Sequence, residues 1–340
     1  MAELAEVHEP EAWNRLVSGL PITSALQSFG WGEVKRLSGW EPKRFAVYEG
    51  DRLLGAAQVL LKRLPGGLHL AYAPRGPALG RLVDLPQVAR ALAKGVRGTH
   101  LVLEPEAGLS AEEAPPAFAG LLPEEPIQPG YSLWLDLTQG EEALLKGMKE
   151  MHRRNARLAQ KRTELLVAGE EAFPEFFRLF EETNRRAKLL QHSEAYYRAV
   201  LREMNQPLGE AFIALALKEG EPLAAGLFVG FAGKVDYLYG GSSRHHPEAK
   251  APMGMHLMAI RHGIAQGYRI YDLWGVPRTP EGSHAEGIWR FKEGFGGKRV
   301  QFPAYTLPLS PLYRPLKALL RLRKTWVNLR VRGNPRDVLG

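Results

Sequence analysis

The chain has 340 residues, 45% of them hydrophobic and 24% charged, enough apolar surface for two domains with cores of their own and too much for a disordered polymer. Its net charge of +8 suits a polyanionic partner such as RNA, nucleotide phosphates or an anionic membrane surface, and the absence of cysteine excludes disulfides, thiolate metal sites and cysteine nucleophiles. The 10 histidines show no metal-binding spacing, no apolar run reaches the roughly 18 residues that span a bilayer, and the acidic N-terminus is unlike a signal peptide, so a cytoplasmic protein without a metal is expected.

In chain order, Phe45-Ala46-Val47-Tyr48-Glu49-Gly50-Asp51-Arg52-Leu53-Leu54-Gly55-Ala56 reads as two strands joined by a tight turn. A tyrosine-bearing strand follows over 69–76, then a helical stretch over 85–96 and a strand over 99–104. The same order returns later in the chain. A hairpin centred on Lys218-Glu219-Gly220-Glu221 precedes a strand over 234–241 with Tyr237 and Tyr239, a helix over 253–266 and a strand over 268–274. Repetition at about half the chain length points to a duplicated α/β domain, and the order hairpin, strand, helix, strand is that of an N-acetyltransferase-like (GNAT) fold. The boundary is expected near residues 131–139, after a Pro- and Glu-rich stretch over 112–129 that reads as an exposed linker or loop. Residues 141–162 then read as helix, acidic at the start and basic at the end.

An acetyl-CoA enzyme of this fold grips pyrophosphate with a glycine-containing loop led by glutamine or arginine at a helix N-terminus. The corresponding stretch, Ala251-Pro252-Met253-Gly254-Met255-His256, lacks the leading polar residue and the final small one, which argues against acetyl-CoA as the donor. Tyr237 and Tyr239 flank Leu238 and are expected on one face of their strand, either as core residues or as the lining of a channel. Asp236 and Asp272 sit on apolar strands where an unpaired carboxylate is costly, so each is either a salt-bridged structural residue or a base. The tail over 312–331 places Leu316, Leu319, Leu320, Trp326 and Val327 on one helical face, with Arg314, Lys317, Arg321, Lys324 and Arg330 around it. Such a helix can dock on the protein, track RNA phosphates or lie on a membrane surface.

Six segments together resemble the FemABX aminoacyltransferases over nearly the whole chain. They are Ser28-Phe29-Gly30-Trp31-Gly32-Glu33-Val34-Lys35, Tyr72-Ala73-Pro74-Arg75-Gly76-Pro77, Met151-His152-Arg153-Arg154-Asn155-Ala156-Arg157-Leu158-Ala159, Tyr237-Leu238-Tyr239-Gly240, Tyr271-Asp272-Leu273-Trp274-Gly275 and Ile288-Trp289-Arg290-Phe291-Lys292-Glu293-Gly294-Phe295-Gly296-Gly297. The resemblance implies two GNAT-like domains, the first over 1–138 plus 306–340 and the second over 139–305. It implies a cofactor-free, monomeric enzyme that moves glycine, alanine or serine from aminoacyl-tRNA to the side-chain amine of the peptidoglycan stem peptide, on UDP-MurNAc-pentapeptide or its lipid-linked form. Contact with the inner face of the membrane is compatible with the lipid-linked acceptor.

By the same resemblance, Lys35 holds the precursor diphosphate, Tyr237 and Tyr239 line the acceptor channel, Tyr196 joins the substrate-binding residues, and Lys292 meets the developing oxyanion beside Phe291. His192 stands where the family often carries a phosphate-binding arginine, and an imidazole offers no guanidinium fork. Glu104 stands near a family aspartate and joins Asp236 and Asp272 as a possible base. Without the resemblance, Lys35 reads as a solvated helix lysine and Lys292 as the partner of an acid such as Glu293 or Glu286. Two other classes stay open, an N-acyltransferase with an acyl-CoA or acyl-carrier donor and a non-catalytic RNA-binding protein.

Overall fold

The structure, a computed structural model, describes residues 2–64, 67–187, 189–279 and 286–319, together with 322 and 326. The first elements are β1 (Glu3–Glu6), α1 (Pro10–Ser18), α2 (Phe29–Arg36), β2 (Glu41–Glu49), β3 (Arg52–Arg63), β4 (His69–Ala73), β5 (Ala78–Leu79), α3 (Leu85–Gly95), β6 (His100–Leu103), β7 (Leu109–Ser110) and β8 (Leu122–Glu124). After them come β9 (Tyr131–Asp136), α4 (Gly140–Gly147), α5 (Glu150–Arg162), β10 (Glu164–Ala168), α6 (Phe173–Ala187), α7 (Glu194–Glu203), β11 (Gly209–Lys218), β12 (Glu221–Phe231) and β13 (Lys234–Ser242). The last are α8 (Ala251–Ala265), β14 (Ile270–Asp272), α9 (Glu286–Glu293), β15 (Lys298–Gln301) and β16 (Ala304–Pro308).

These elements form two compact units. One comprises residues 1–131, 275–289 and 300–340, the other residues 132–274 and 290–299. The expected repeat is present in both. In the first, β2, β3 and β4 pair antiparallel, α3 crosses over, and β6 returns parallel to β4. In the second, β11, β12 and β13 pair antiparallel, α8 crosses over, and β14 returns parallel to β13. A strand from a distant stretch then extends each sheet: β16 pairs antiparallel with β6, and β9 with β14. The second unit thus includes residues 132–138, and the first includes residues 275–289 and 300–305, where the sequence reading assigns each to the other side.

Local chemistry accounts for the elements. The β11–β12 turn places Glu219 (φ 53°) and Gly220 (φ 79°) consecutively in the left-handed region, the requirement of a two-residue I′ turn. α3 buries Leu85, Val88, Ala89 and Leu92, spaced at three and four residues, against Phe45, Val47 and Leu54 of β2 and β3. Each such Leu or Val contributes about 1.5–3 kcal/mol of burial.

Two expectations change, and the tail fits one of the readings offered for it. The stretch 141–162 is two helices, because Met148 turns out of helix (ψ 148°) and the amide of Lys149 bonds the carbonyl of Gly294 at 3.0 Å. The stretch 112–129 is exposed but tied down: Tyr305 donates to the Pro116 carbonyl at 2.7 Å, and β8 pairs with β16. Residues 313–319 of the tail are helical, with Leu316 buried and Lys317 paired with Glu124 at 2.6 Å, which fits docking at that point. Leu319 and Trp326 are exposed, and Leu320, Arg321, Lys324, Val327 and Arg330 lie outside the described residues.

Candidate active site

In the second unit, β14 delivers Asp272 into the interior, where its carboxylate is fully buried. It accepts from Ser132 Oγ, from Trp134 Nε1 at 2.8 Å and from the Trp274 amide at 2.7 Å, with Lys234 Nζ at 3.6 Å. These bonds turn the chain sharply. Trp274 takes φ 58°, rare for a bulky side chain, and its carbonyl accepts from Lys292 Nζ at 3.0 Å. Lys292, 8% exposed in the last turn of α9, also stands 5.8 Å from the Tyr237 ring centroid. Burial pushes its ammonium down to about 8, against the pull of Asp272, so it stays a cation at neutral pH while close to losing its proton. Its neighbour Glu293 pairs instead with Lys149, at 2.6 Å.

Aromatic rings cluster beside this lysine. Phe291 and Phe295 meet edge to face at 5.4 Å, and His256 lies 5.5 Å from the first and 5.2 Å from the second. His256 shares a hydrogen bond of 2.5 Å with Tyr271; burial, then the charge of Lys292, holds its pKa near 3, so it is neutral and unsuited to collect a proton. From α5, His152 Nε2 bonds the Phe291 carbonyl at 2.8 Å.

The glycines after Lys292 serve close packing rather than flexibility. The His152 ring occupies the space that a Cβ on Gly294 would need, and Gly296 (φ 79°) backs onto the Gly147 carbonyl. Gly294→Ala is therefore expected to destabilise the fold by about 1–3 kcal/mol in urea unfolding. An unchanged midpoint would mean that the His152 ring does not fill that space.

Tyr237 and Tyr239 do not share a face, contrary to the alternation expected. The register pairs Phe228 with Tyr237 and Leu227 with Tyr239, leaving Leu238 as an extra residue in a bulge, and each bulge reverses the alternation beyond it. Tyr237 consequently joins Phe228 (5.3 Å) and His256 (4.6 Å), on the side of α8. Tyr239 packs instead on Phe180 of α6 (5.8 Å) and Tyr197 of α7 (4.9 Å). His192 and Tyr196 belong with Tyr239: the imidazole stacks on the Tyr196 ring at 4.0 Å, and Tyr196 is pushed up to about 12, mainly by burial. Of these four, Tyr237 is the one whose ring stands 5.8 Å from Lys292 Nζ.

Among the possible bases, Asp236 is fully buried with Lys234 Nζ at 3.0 Å, and Asp272 has the donors already named. Lys234 bridges the two carboxylates, with its ammonium 5.5 Å from the Trp134 ring. The ion pair favours the structural reading of both aspartates. Glu104, in the first unit, accepts from Tyr72 Oη at 2.6 Å and from the Ile127 amide; burial holds its carboxyl above the usual range. Lys234, His152 and His256 were missed in the sequence. Two had a signal there: Lys234 stands two residues before Asp236 and so on the same strand face, and His152 lies within a segment that carries the resemblance.

The first unit seats Lys35 on α2. Ser28 Oγ caps the helix through the Trp31 amide, and Arg44 clamps it by stacking on Phe29 (3.5 Å) and pairing with Glu33 (2.8 Å). Lys35 Nζ lies 5.2 Å from the Trp31 ring, and Lys62 Nζ lies 5.2 Å from the Trp40 ring while donating to the Ser38 carbonyl at 3.2 Å. Burial lowers Lys35 to about 8, and the like charge of Lys62 adds to the shift. Trp40 in turn packs on Tyr72 at 6.3 Å, next to Glu104. Lys62 is a second cation that the sequence reading did not single out.

A family model described as the FemAB family matches residues 9–100, 120–216 and 202–321, and the chain belongs to that family. Among curated relatives, a "Lipid II:glycine glycyltransferase" of Staphylococcus saprophyticus subsp. saprophyticus is 23% identical over 368 residues, covering 84% of this chain and 88% of the relative. The crystal structure of FemX superposes with a TM-score of 0.78 at 18% identity, covering 93% of this chain and 99% of that one. A tandem GNAT protein from the clavulanic acid biosynthesis pathway gives 0.52 at 14% identity, covering 92% and 99%. The fold is thus a pair of GNAT-like domains. Among the described residues, no helix is long and apolar enough to cross a membrane.

Proposed function

We propose that this protein is an aminoacyltransferase that moves glycine, alanine or serine from aminoacyl-tRNA to the side-chain amine of a peptidoglycan stem peptide. Family membership and the name of the staphylococcal relative support the class of reaction. The observation that carries the chemistry is Lys292, a buried cation held on the Trp274 carbonyl beside the Tyr237 ring. The acceptor amine attacks the ester carbonyl that joins the amino acid to the ribose, forming the C–N bond and a tetrahedral oxyanion. Collapse of that intermediate breaks the C–O bond, and the proton given up by the amine ends on the departing 3′ oxygen. Lys292 offsets the oxyanion charge, Phe291 shapes the place of the tRNA 3′ end, and Lys35 holds the precursor diphosphate. A substrate hydroxyl or phosphate relays the proton, since Asp236 and Asp272 are engaged with Lys234.

The start of α8 weighs against an acyl-CoA donor. Its Met253 and Gly254 amides bond the Lys250 carbonyl, at 2.9 and 3.4 Å, and Gly254 faces Leu165, Thr163 and Ala159. Those two amides, and Pro252, which has no N–H, are not offered to a pyrophosphate there. Transfer of label from a mixture of charged tRNAs to purified precursor, followed by mass spectrometry, tests the reading. Ribonuclease is expected to abolish it, whereas activity that survives ribonuclease and needs acyl-CoA would replace the tRNA donor.

A further inference from the structure

α5 has two unlike sides. His152, Ala156 and Ala159 are buried, while a groove on the outside is lined by Glu150, Arg153, Arg154, Arg157, Leu158 and Lys161. Several arginines on other helices stand beside carboxylates, among them Arg15 with Glu11, Arg178 with Glu175, Arg186 with Glu182 and Arg198 with Glu194, whereas single cations such as Arg90 and Arg185 are scattered. Arg154, Arg157 and Lys161 have no such acid within ion-pair distance among the described residues, and all three are exposed. Arg153 is partly engaged, donating to the Lys146 carbonyl at 3.0 Å. The three open cations recur at three and four residues and form one stripe about 10 Å long, the span of about three phosphates of a nucleic-acid strand.

We propose that this outer face of α5 docks the phosphate backbone of the RNA donor, an inference that rests on the tRNA-dependent reading and adds the surface. Charge complementarity names the partner, and the far side of the helix explains the position. Through His152 and the Phe291 carbonyl (2.8 Å), and through the Lys149 amide and the Gly294 carbonyl (3.0 Å), α5 packs directly on the turn that carries Lys292. RNA on the outer face lies about one helix diameter, ~10 Å, from that turn, a gap that an unpaired 3′ end can span. A membrane fits less well, because a helix lying in lipid buries its apolar side there and the apolar side of α5 is already packed in protein.

The test uses the full chain with Arg154→Gln, Arg157→Gln and Lys161→Gln combined. The log-log salt slope of tRNA binding is expected to fall by about 2 to 3, and kcat/KM for charged tRNA by at least about tenfold at moderate salt, with KM for precursor unchanged. Transfer from a charged trinucleotide carrying only the unpaired 3′ end should match wild type, and Arg154→Lys with Arg157→Lys should restore the slope. Should the triple variant misfold by circular dichroism, Arg157→Glu alone is read in the same assays. Wild-type slope and kcat/KM in a folded variant overturn the docking surface while leaving the tRNA donor in place. Equal losses with the trinucleotide also overturn it, as does a loss of binding to phosphatidylglycerol vesicles with tRNA binding intact. A wild-type protein that uses no charged tRNA at all overturns the underlying reading instead.

Discussion

Lys292→Met is expected to fold normally, to keep its ground-state affinity for both substrates, and to lose roughly 10²- to 10³-fold in kcat, the usual loss for one oxyanion donor. Methionine keeps most of the volume of the stem, so the space beside Tyr237 and His256 stays filled and the change is chiefly one of charge. The ammonium titrates near 8, and the lysine supplies its charge below that pH and loses it above. In wild type, kcat should therefore fall as pH rises through about 8, although the acceptor amine becomes a better nucleophile over the same range. Lys292→Arg, which cannot lose its charge there, should move that falling limb upward even if poor geometry lowers the plateau. More than about a tenth of wild-type turnover in Lys292→Met would sink the catalytic role. Loss of tRNA affinity together with turnover would make Lys292 a donor-binding residue.

The duplicated fold was legible because its signals are local. Alternating apolar residues around Glu49-Gly50-Asp51 and again around Glu219-Gly220-Glu221, each hairpin followed by strand, helix and strand, mark two copies of one unit. The edges were less legible, since β9 and β16 join their sheets by pairing with strands far away in sequence. The bulge at Leu238 was also out of reach: an extra residue in a strand is set by the partner register, and leucine carries no mark of it. That single residue sends Tyr239 to the side of α6 and α7 and leaves Tyr237 with Lys292. The role proposed for Lys292 came through resemblance alone. What holds it there, the Trp274 carbonyl, His152 above Gly294 and the Asp272 turn, arises from contacts between segments 18 to 140 residues apart. Lys62 escaped notice for the same reason, because only the fold brings it to Lys35.

Lys35→Ala is expected to raise KM for the precursor by roughly 10- to 150-fold, corresponding to about 1.5–3 kcal/mol for one charge-assisted contact, with little change in KM for aminoacyl-tRNA. The surroundings of the lysine are compatible with that contact. Arg44 fixes its helix, Trp31 and burial strip its water, and Lys62 crowds it with a like charge, so a bound diphosphate would relieve what the free protein bears. Lys35 titrates near 8, and its charge is lost as pH rises through that value. Precursor KM should accordingly climb above about pH 8, and in Lys35→Ala that climb should flatten. This limb belongs to KM, whereas the one assigned to Lys292 belongs to kcat, so the two lysines are separable although they titrate together. Lys62→Ala probes the same anion from the other side and should raise precursor KM as well, by a smaller factor because its ammonium is partly engaged by Ser38. Equal effects of Lys35→Ala on both substrates, or a shifted unfolding midpoint that accounts for the lost activity, would make Lys35 a structural residue of α2.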